Sequence, residues 1–196
     1  MSMKLSYLIA DFFIAQNWIK EEEKVIYVVG MDVLLSTSWQ IALVLFLGIW
    51  RGGFVEAVVY LLFILSVRQY SGGYHASTRT RCYTLFTVCY LIADAAASFI
   101  GRNAGREVLV LYGLCSLIFA NIVFYLFVPV KNDRKKYRAE DMRDARKKAF
   151  AAVNIWYCLA AGTAFAQPAI TAQIFTAGNI VTLLILLCRP WRKKHE

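Results

Sequence analysis

The chain has 196 residues, is 59% hydrophobic and 18% charged, and carries a formal net charge of +9. Soluble domains average about 45–50% apolar and about 25% charged residues. Here the charges come in blocks, and between them lie runs approaching or exceeding the roughly 20 apolar residues that cross a bilayer. A soluble globular class is excluded. So is a water-filled β-barrel, because the runs are continuously apolar and do not alternate.

The chain reads as one integral membrane domain, 1–196. Residues 1–24 are a mixed opening, with Leu5, Leu8, Ile9, Phe12 and Phe13 at helical spacing and Lys4, Asp11, Gln16 and Asn17 between them. This predicts an amphipathic helix in the membrane interface, ending near Trp18. Asp11 interrupts the apolar stretch and no small-residue cleavage site follows, which argues against a cleavable signal peptide. Glu21-Glu22-Glu23-Lys24 opens the next helix, since acids suit a helix N-terminus. Val25 to Trp50 carries a single charge, Asp32. Gly30 and Asp32 are expected to divide it into a partly buried first part and a span near Val33–Trp50. Arg51-Gly52-Gly53 is a tight turn. Phe54 to Val67 is only 14 residues long and is borderline as a span.

Residues 68–82 follow, the most polar segment in the first half of the chain. Cys82 to Ile100 is apolar except for Asp94, and residues 101–107 are a loop. Val108 to Val130, 23 residues without charge, is the clearest span. Lys131 to Lys148 holds nine basic and four acidic residues, and Ala149 to Cys188 is 40 residues without charge. Gln167-Pro168 breaks that run into two spans. The expected fold is therefore all-α, a polytopic transmembrane bundle of about six spans, two of them short or uncertain. Basic residues mark cytoplasmic loops. Segment 68–81, loop 131–148 and the basic tail fall on one side, so both termini and the 68–82 segment are expected in the cytoplasm of a cell membrane. Trp50 and Trp191 suit interface anchors.

None of the five cysteines forms a CxxC pair or a metal-ligand spacing. No metal or cofactor is expected, and a reducing cytosol leaves Cys82 a free thiol. Cys82 and His75, one of two histidines, are the natural pair for thiol chemistry, which needs a thiolate and a base to form it. Seven residues on one straight helix would separate them by about 10.5 Å at 1.5 Å rise per residue, beyond the roughly 2.6–3.2 Å of a working hydrogen bond. His75 should therefore lie off the helix that carries Cys82. Gly72-Gly73 gives the freedom to fold it back, and Ser77 or Thr78 can cap the helix. Cys82 then falls in or just after the first turn, where the helix end and Arg79 or Arg81 favour a thiolate. On spacing alone, a chance His and Cys among positive-inside arginines is the commoner reading. Asp94 is twelve residues beyond Cys82, too far along a helix to complete a triad. Interhelical polar pairing is the preferred reading for Asp32, Glu56 and Asp94.

Arg68, Gly72-Gly73, His75-Ala76 and Cys82 together resemble the accessory gene regulator B family, whose pattern is an Arg, then Gly-Gly-x-His-Ala, then a Cys seven residues after the His. The resemblance implies a membrane cysteine endopeptidase of quorum sensing, with Cys82 as nucleophile and His75 as base. It also implies a substrate, a small amphipathic propeptide with an acidic C-terminal tail. The tail would leave, and a thiol or hydroxyl in the substrate would resolve the acyl-enzyme thioester to a thiolactone or lactone. Arg68 would orient the site or bind substrate. Gln69 and Ser71 are possible oxyanion donors, set against a solvated loop. Arg79, Arg81 and the 131–148 loop would attract the acidic tail, set against ordinary positive-inside retention. Further partners implied are membrane lipid and a second copy in a homodimer; nucleic acid is not expected. The rival classes are a non-catalytic peptide transporter, which should depend on Asp94 more than on Cys82, and a scaffold protein.

Overall fold

The computed structural model describes residues 2–72, 79–130 and 139–187, with the side chains of 2, 3, 79, 139 and 140 excepted. Seven α-helices and no strand occur among them: α1 (Ser2–Ala15), α2 (Lys24–Trp50), α3 (Phe54–Ser71), α4 (Arg79–Asn103), α5 (Arg106–Phe127), α6 (Ala139–Thr163) and α7 (Pro168–Leu187). The all-α expectation holds. Two compact units divide the chain at Phe46/Leu47, inside α2.

In the first unit α1 buries Ser6 and Ala10 and exposes Leu5, Leu8 and Phe12. An outward apolar face suits lipid rather than water. The helix ends at Asn17, whose φ of 57° is one that asparagine tolerates. Trp18 then packs its ring on Phe12 and Phe13, at 6.0 and 5.4 Å between centroids. Lys24 pairs with Asp11 at 2.6 Å, an exposed ion pair of little energetic weight. The expected division at Gly30 and Asp32 does not occur: α2 runs unbroken for 27 residues. One interior glycine costs only about 1 kcal/mol, and an apolar surrounding penalises any backbone group released from the helix.

The second unit starts with the turn that ends α2. Gly52 N–H donates to Ile49 O at 3.1 Å and Gly53 N–H to Gly48 O at 2.8 Å. This is the paired closure of a helix C-terminus by a left-handed residue, and Gly52 supplies it with φ +75°. α3 runs four residues further than its apolar stretch, so Arg68, Gln69, Tyr70 and Ser71 are helical. α6 begins at Ala139, within the basic segment, rather than at Ala149. Arg143, Arg146, Lys147 and Lys148 therefore stand on a helix.

α7 is the centre of this unit. It packs against α3, α4, α5 and α6, and every residue from Thr171 to Gly178 is buried. Small residues let it approach its neighbours closely. Pro168 starts it at the first helical position, where the missing N–H matters least. The bundle is inside-out by soluble standards. α5 buries Gly113, Ser116 and Ala120 and exposes Leu111, Leu114, Ile118, Ile122 and Tyr125 at helical spacing. Its interior is joined by polar side chains: Asn121 and Asn154 exchange hydrogen bonds at 3.3 and 3.0 Å, and Asn179 donates to Tyr112 and Ser116. Among the described residues five helices are long and apolar enough to cross a membrane, namely Glu21–Trp50, Phe54–Ser71, Thr80–Asn103, Arg106–Phe127 and Pro168–Leu187. This is a polytopic membrane protein.

The α4–α7 crossing gives a direct test of that packing. A Cβ added at Gly101 would lie 2.9 Å from Ala169 Cα, and neither backbone can yield without moving its helix. Gly101→Ala is expected to destabilise the protein by about 1–3 kcal/mol, read as a lowered unfolding midpoint in detergent. Gly30→Ala, with nothing within 4 Å, is expected to be neutral or slightly stabilising.

Candidate functional site

α4 is described from Arg79 onward, and Cys82 stands on it as the fourth described residue. The expectation that Cys82 lies in or just after the first turn depends on residues 73–78 and lies outside the described residues. Cys82 is half-buried and its thiol is free, as are those of Cys89, Cys115 and Cys158.

Cys82 lines a pocket built from three helices. α3 contributes Tyr60, Ile64 and Arg68, and Gly72 lines the pocket just beyond that helix. α4 contributes Cys82, Leu85, Phe86 and Cys89, and α7 contributes Val181, Leu184 and Ile185. Its cavity volume is about 20 Å³, space for about one water molecule. Arg68 and Cys82 are at its polar end, and its remaining walls are mostly apolar. Aromatic packing of Tyr60 on Phe86 and Tyr90, at 6.0 and 5.3 Å between centroids, ties α3 to α4 beneath it. The helical extension of α3 is what brings Arg68 there. A loop starting at Val67 would leave that side chain unplaced.

Other segment residues sit apart from the pocket lining. Gln69 is exposed on α3. Ser71 is fully buried, and its hydroxyl donates to Gly72 O at 3.1 Å. It stands on a helix and not in a solvated loop. Arg81 is exposed on α4. Gly73, His75, Ser77 and Thr78 lie outside the described residues, as does the side chain of Arg79. The predicted fold-back of His75 falls there too.

Sequence reading missed the segment that closes the C-terminus of α3. Residues 128–130 follow α5 and contain a cis Val128–Pro129 bond. Val130 N–H donates to Ser71 O at 3.0 Å. The Arg146 Nε–H of α6 donates to Val128 O at 2.7 Å. Lys148 lies over the Tyr70 ring, 5.9 Å from its centroid. The only signal was Pro129 at the end of an apolar run, which marks a break but names no partner. Further along α4, Asp94 is buried and accepts from Arg51 Nε at 2.5 Å. The preferred polar pairing holds for Asp94.

The family model for accessory gene regulator B matches residues 6–188. The chain belongs to that family. An AgrB-like protein 2 of Clostridium perfringens (strain 13 / Type A) is 27% identical over 151 residues, covering 76% of this chain and 70% of that protein. An AgrB-like protein of Listeria monocytogenes serotype 4a (strain HCC23) is 25% identical over 197 residues, covering 98% and 93%. No solved structure matches the chain. AgrB proteins are in general peptidases of autoinducer maturation, and membership supports involvement of this chain in agr quorum-sensing peptide processing. The motif of this AgrB chain meets its fold at three positions. Arg68, Gly72 and Cys82, spread over 15 residues, line one pocket.

Proposed function

We propose that the chain is a membrane cysteine endopeptidase in which Cys82 is the nucleophile and His75 the base. The observation that carries this reading is the shared pocket of Cys82, Arg68 and Gly72. His75 takes the Cys82 proton, and the thiolate attacks the scissile carbonyl of a small amphipathic propeptide. The carbon–nitrogen bond breaks, the tail amine leaves with the proton held by His75, and the acyl group stays on Cys82 as a thioester. A substrate thiol or hydroxyl then attacks the same carbonyl. Cys82 leaves as thiolate and the peptide closes to a thiolactone or lactone. The mostly apolar pocket walls keep water scarce, which favours transfer to the substrate over hydrolysis.

Arg68 is within reach of the polar end of the pocket to orient the substrate. Gly72 carries the positive φ that turns the chain after α3, and Gly73, Gln69, Ser71, Arg79 and Arg81 are the further candidates for binding or orienting the substrate. In this reading the enzyme works as a homodimer without cofactor, with both termini and the catalytic segment in the cytoplasm. The basic segment 131–148, with Arg79 and Arg81, attracts the acidic tail.

Co-expression with the cognate propeptide tests the reading. The intact mass of the enzyme is expected to increase by the tail-less peptide acyl group, the adduct to be released by neutral hydroxylamine, and both signals to vanish in Cys82→Ala. Unchanged processing by Cys82→Ala would sink the protease and favour peptide transport.

A further inference from the structure

The last carbonyls of a helix lack intrahelical partners and must find others. At the end of α3 those partners come from a distant part of the chain. Ser71 O accepts from Val130 N–H at 3.0 Å. Two independent observations explain Gly72. Gly72 has φ +70°, a region that L side chains rarely enter. A Cβ there would also meet Val130 O at 2.9 Å. The backbone of Val130 therefore occupies the space that Gly72 leaves open.

The segment that carries Val130 is held in turn. Val128 is fully buried, its N–H donates to Phe124 O at 3.2 Å, and its carbonyl accepts from Arg146 at 2.7 Å. A hydrogen bond from a guanidinium is stronger than a neutral one. A chain of contacts thus runs from Arg146 through Val128–Val130 to the Ser71–Gly72 turn, and Gly72 lines the pocket that holds Cys82.

We infer that Arg146 is a positioning residue of the reaction. It clamps residues 128–130 against the end of α3 and so fixes the Gly72 turn relative to Cys82. The Nε–H bond to a backbone carbonyl gives Arg146 a structural partner of its own, beside the charge it shares with the rest of the basic segment. The inference rests on Cys82 being the nucleophile.

The test uses the full-length chain in detergent with the cognate propeptide. Arg146→Ala is expected to lower kcat by about ten- to a hundredfold with KM nearly unchanged, the size of loss that a displacement of about 1 Å produces. Arg146→Lys keeps an N–H donor for Val128 O and is expected to recover most of the loss. Gly72→Ala disturbs the same contact from the other side. The Arg146→Ala/Gly72→Ala double variant should lose little more than the worse single one, because coupled sites are not additive. A raised KM with unchanged kcat would overturn the inference in favour of substrate capture. So would a loss that merely follows the folded fraction, or full additivity.

Site-resolved alkylation of Cys82 separates this inference from the protease reading, because it needs no turnover. If Cys82→Ala still processes the propeptide, the protease reading fails. Positioning then stands only if Arg146→Ala and Gly72→Ala both shift the pH profile of Cys82 alkylation while Arg146→Lys restores it. Superimposable profiles overturn it.

Discussion

Cys82→Ala is expected to cut propeptide cleavage by a factor of about 10⁴ or more, to background, because no other group in the pocket can form the covalent intermediate. Among the lining residues Cys89 is the sole alternative thiol. It lies seven residues further along α4, about 10.5 Å away along the helix axis, and is buried. A carbonyl seated at Cys82 is out of its reach. Cys82→Ser keeps the shape and tests the thiolate specifically, since a serine hydroxyl at a site tuned for a thiol is a poor nucleophile. It too is expected near background. His75→Ala should lie above Cys82→Ala, because a fraction of thiolate exists without its base. The measurement is single-turnover cleavage in detergent or vesicles, with adduct formation read in parallel. Retention of more than about a tenth of the rate in Cys82→Ala, on the magnitude usual for a lost nucleophile, would remove the nucleophile assignment.

Hydropathy revealed the class and most of the helices, for a physical reason. A backbone crossing hydrocarbon must satisfy its own hydrogen bonds, so long apolar runs have one available structure. It failed at helix ends. α3 continues through Arg68–Ser71, because its backbone hydrogen bonding stops where Gly72 allows a positive φ and not where side chains turn polar, and α6 likewise includes residues of the basic segment. Hydropathy also could not identify α7 as the central helix. A leucine facing lipid and one facing another helix read alike, and only the small residues Ala172, Ala177 and Gly178 hint that this helix packs on all sides. That Cys82 stands on the helix that opens the apolar run was legible from hydropathy. The partners of its pocket on α7, and the 128–130 segment held by Arg146, were not, since they come from the far half of the chain and no local spacing encodes them.

The Arg51–Asp94 pair should respond asymmetrically to removal of its two members. Asp94 is only 5% exposed at its side chain and Arg51 is 42% exposed. Arg51→Ala leaves a carboxylate in a buried site with its cation gone. Breaking a fully buried pair costs about 3–5 kcal/mol. The solvent reaching Arg51 reduces this, so about 2–3 kcal/mol is expected after discounting for screening. Asp94→Asn is different. The amide oxygen can still accept from Arg51 Nε, and the guanidinium left without a counter-charge already reaches water, so the expected cost is about 1 kcal/mol. Unfolding midpoints in detergent should therefore fall further for Arg51→Ala than for Asp94→Asn. The reverse order would mean that Arg51, not Asp94, carries the desolvated charge. Neither residue lines the Cys82 pocket, so both variants should retain cleavage in proportion to their folded fraction. That separates the enzyme from a peptide transporter. An intramembrane acid in a transport path would lose its function on conversion to asparagine, whereas an acid fixed by Arg51 about 18 Å along α4 from Cys82 serves the fold and leaves the chemistry intact.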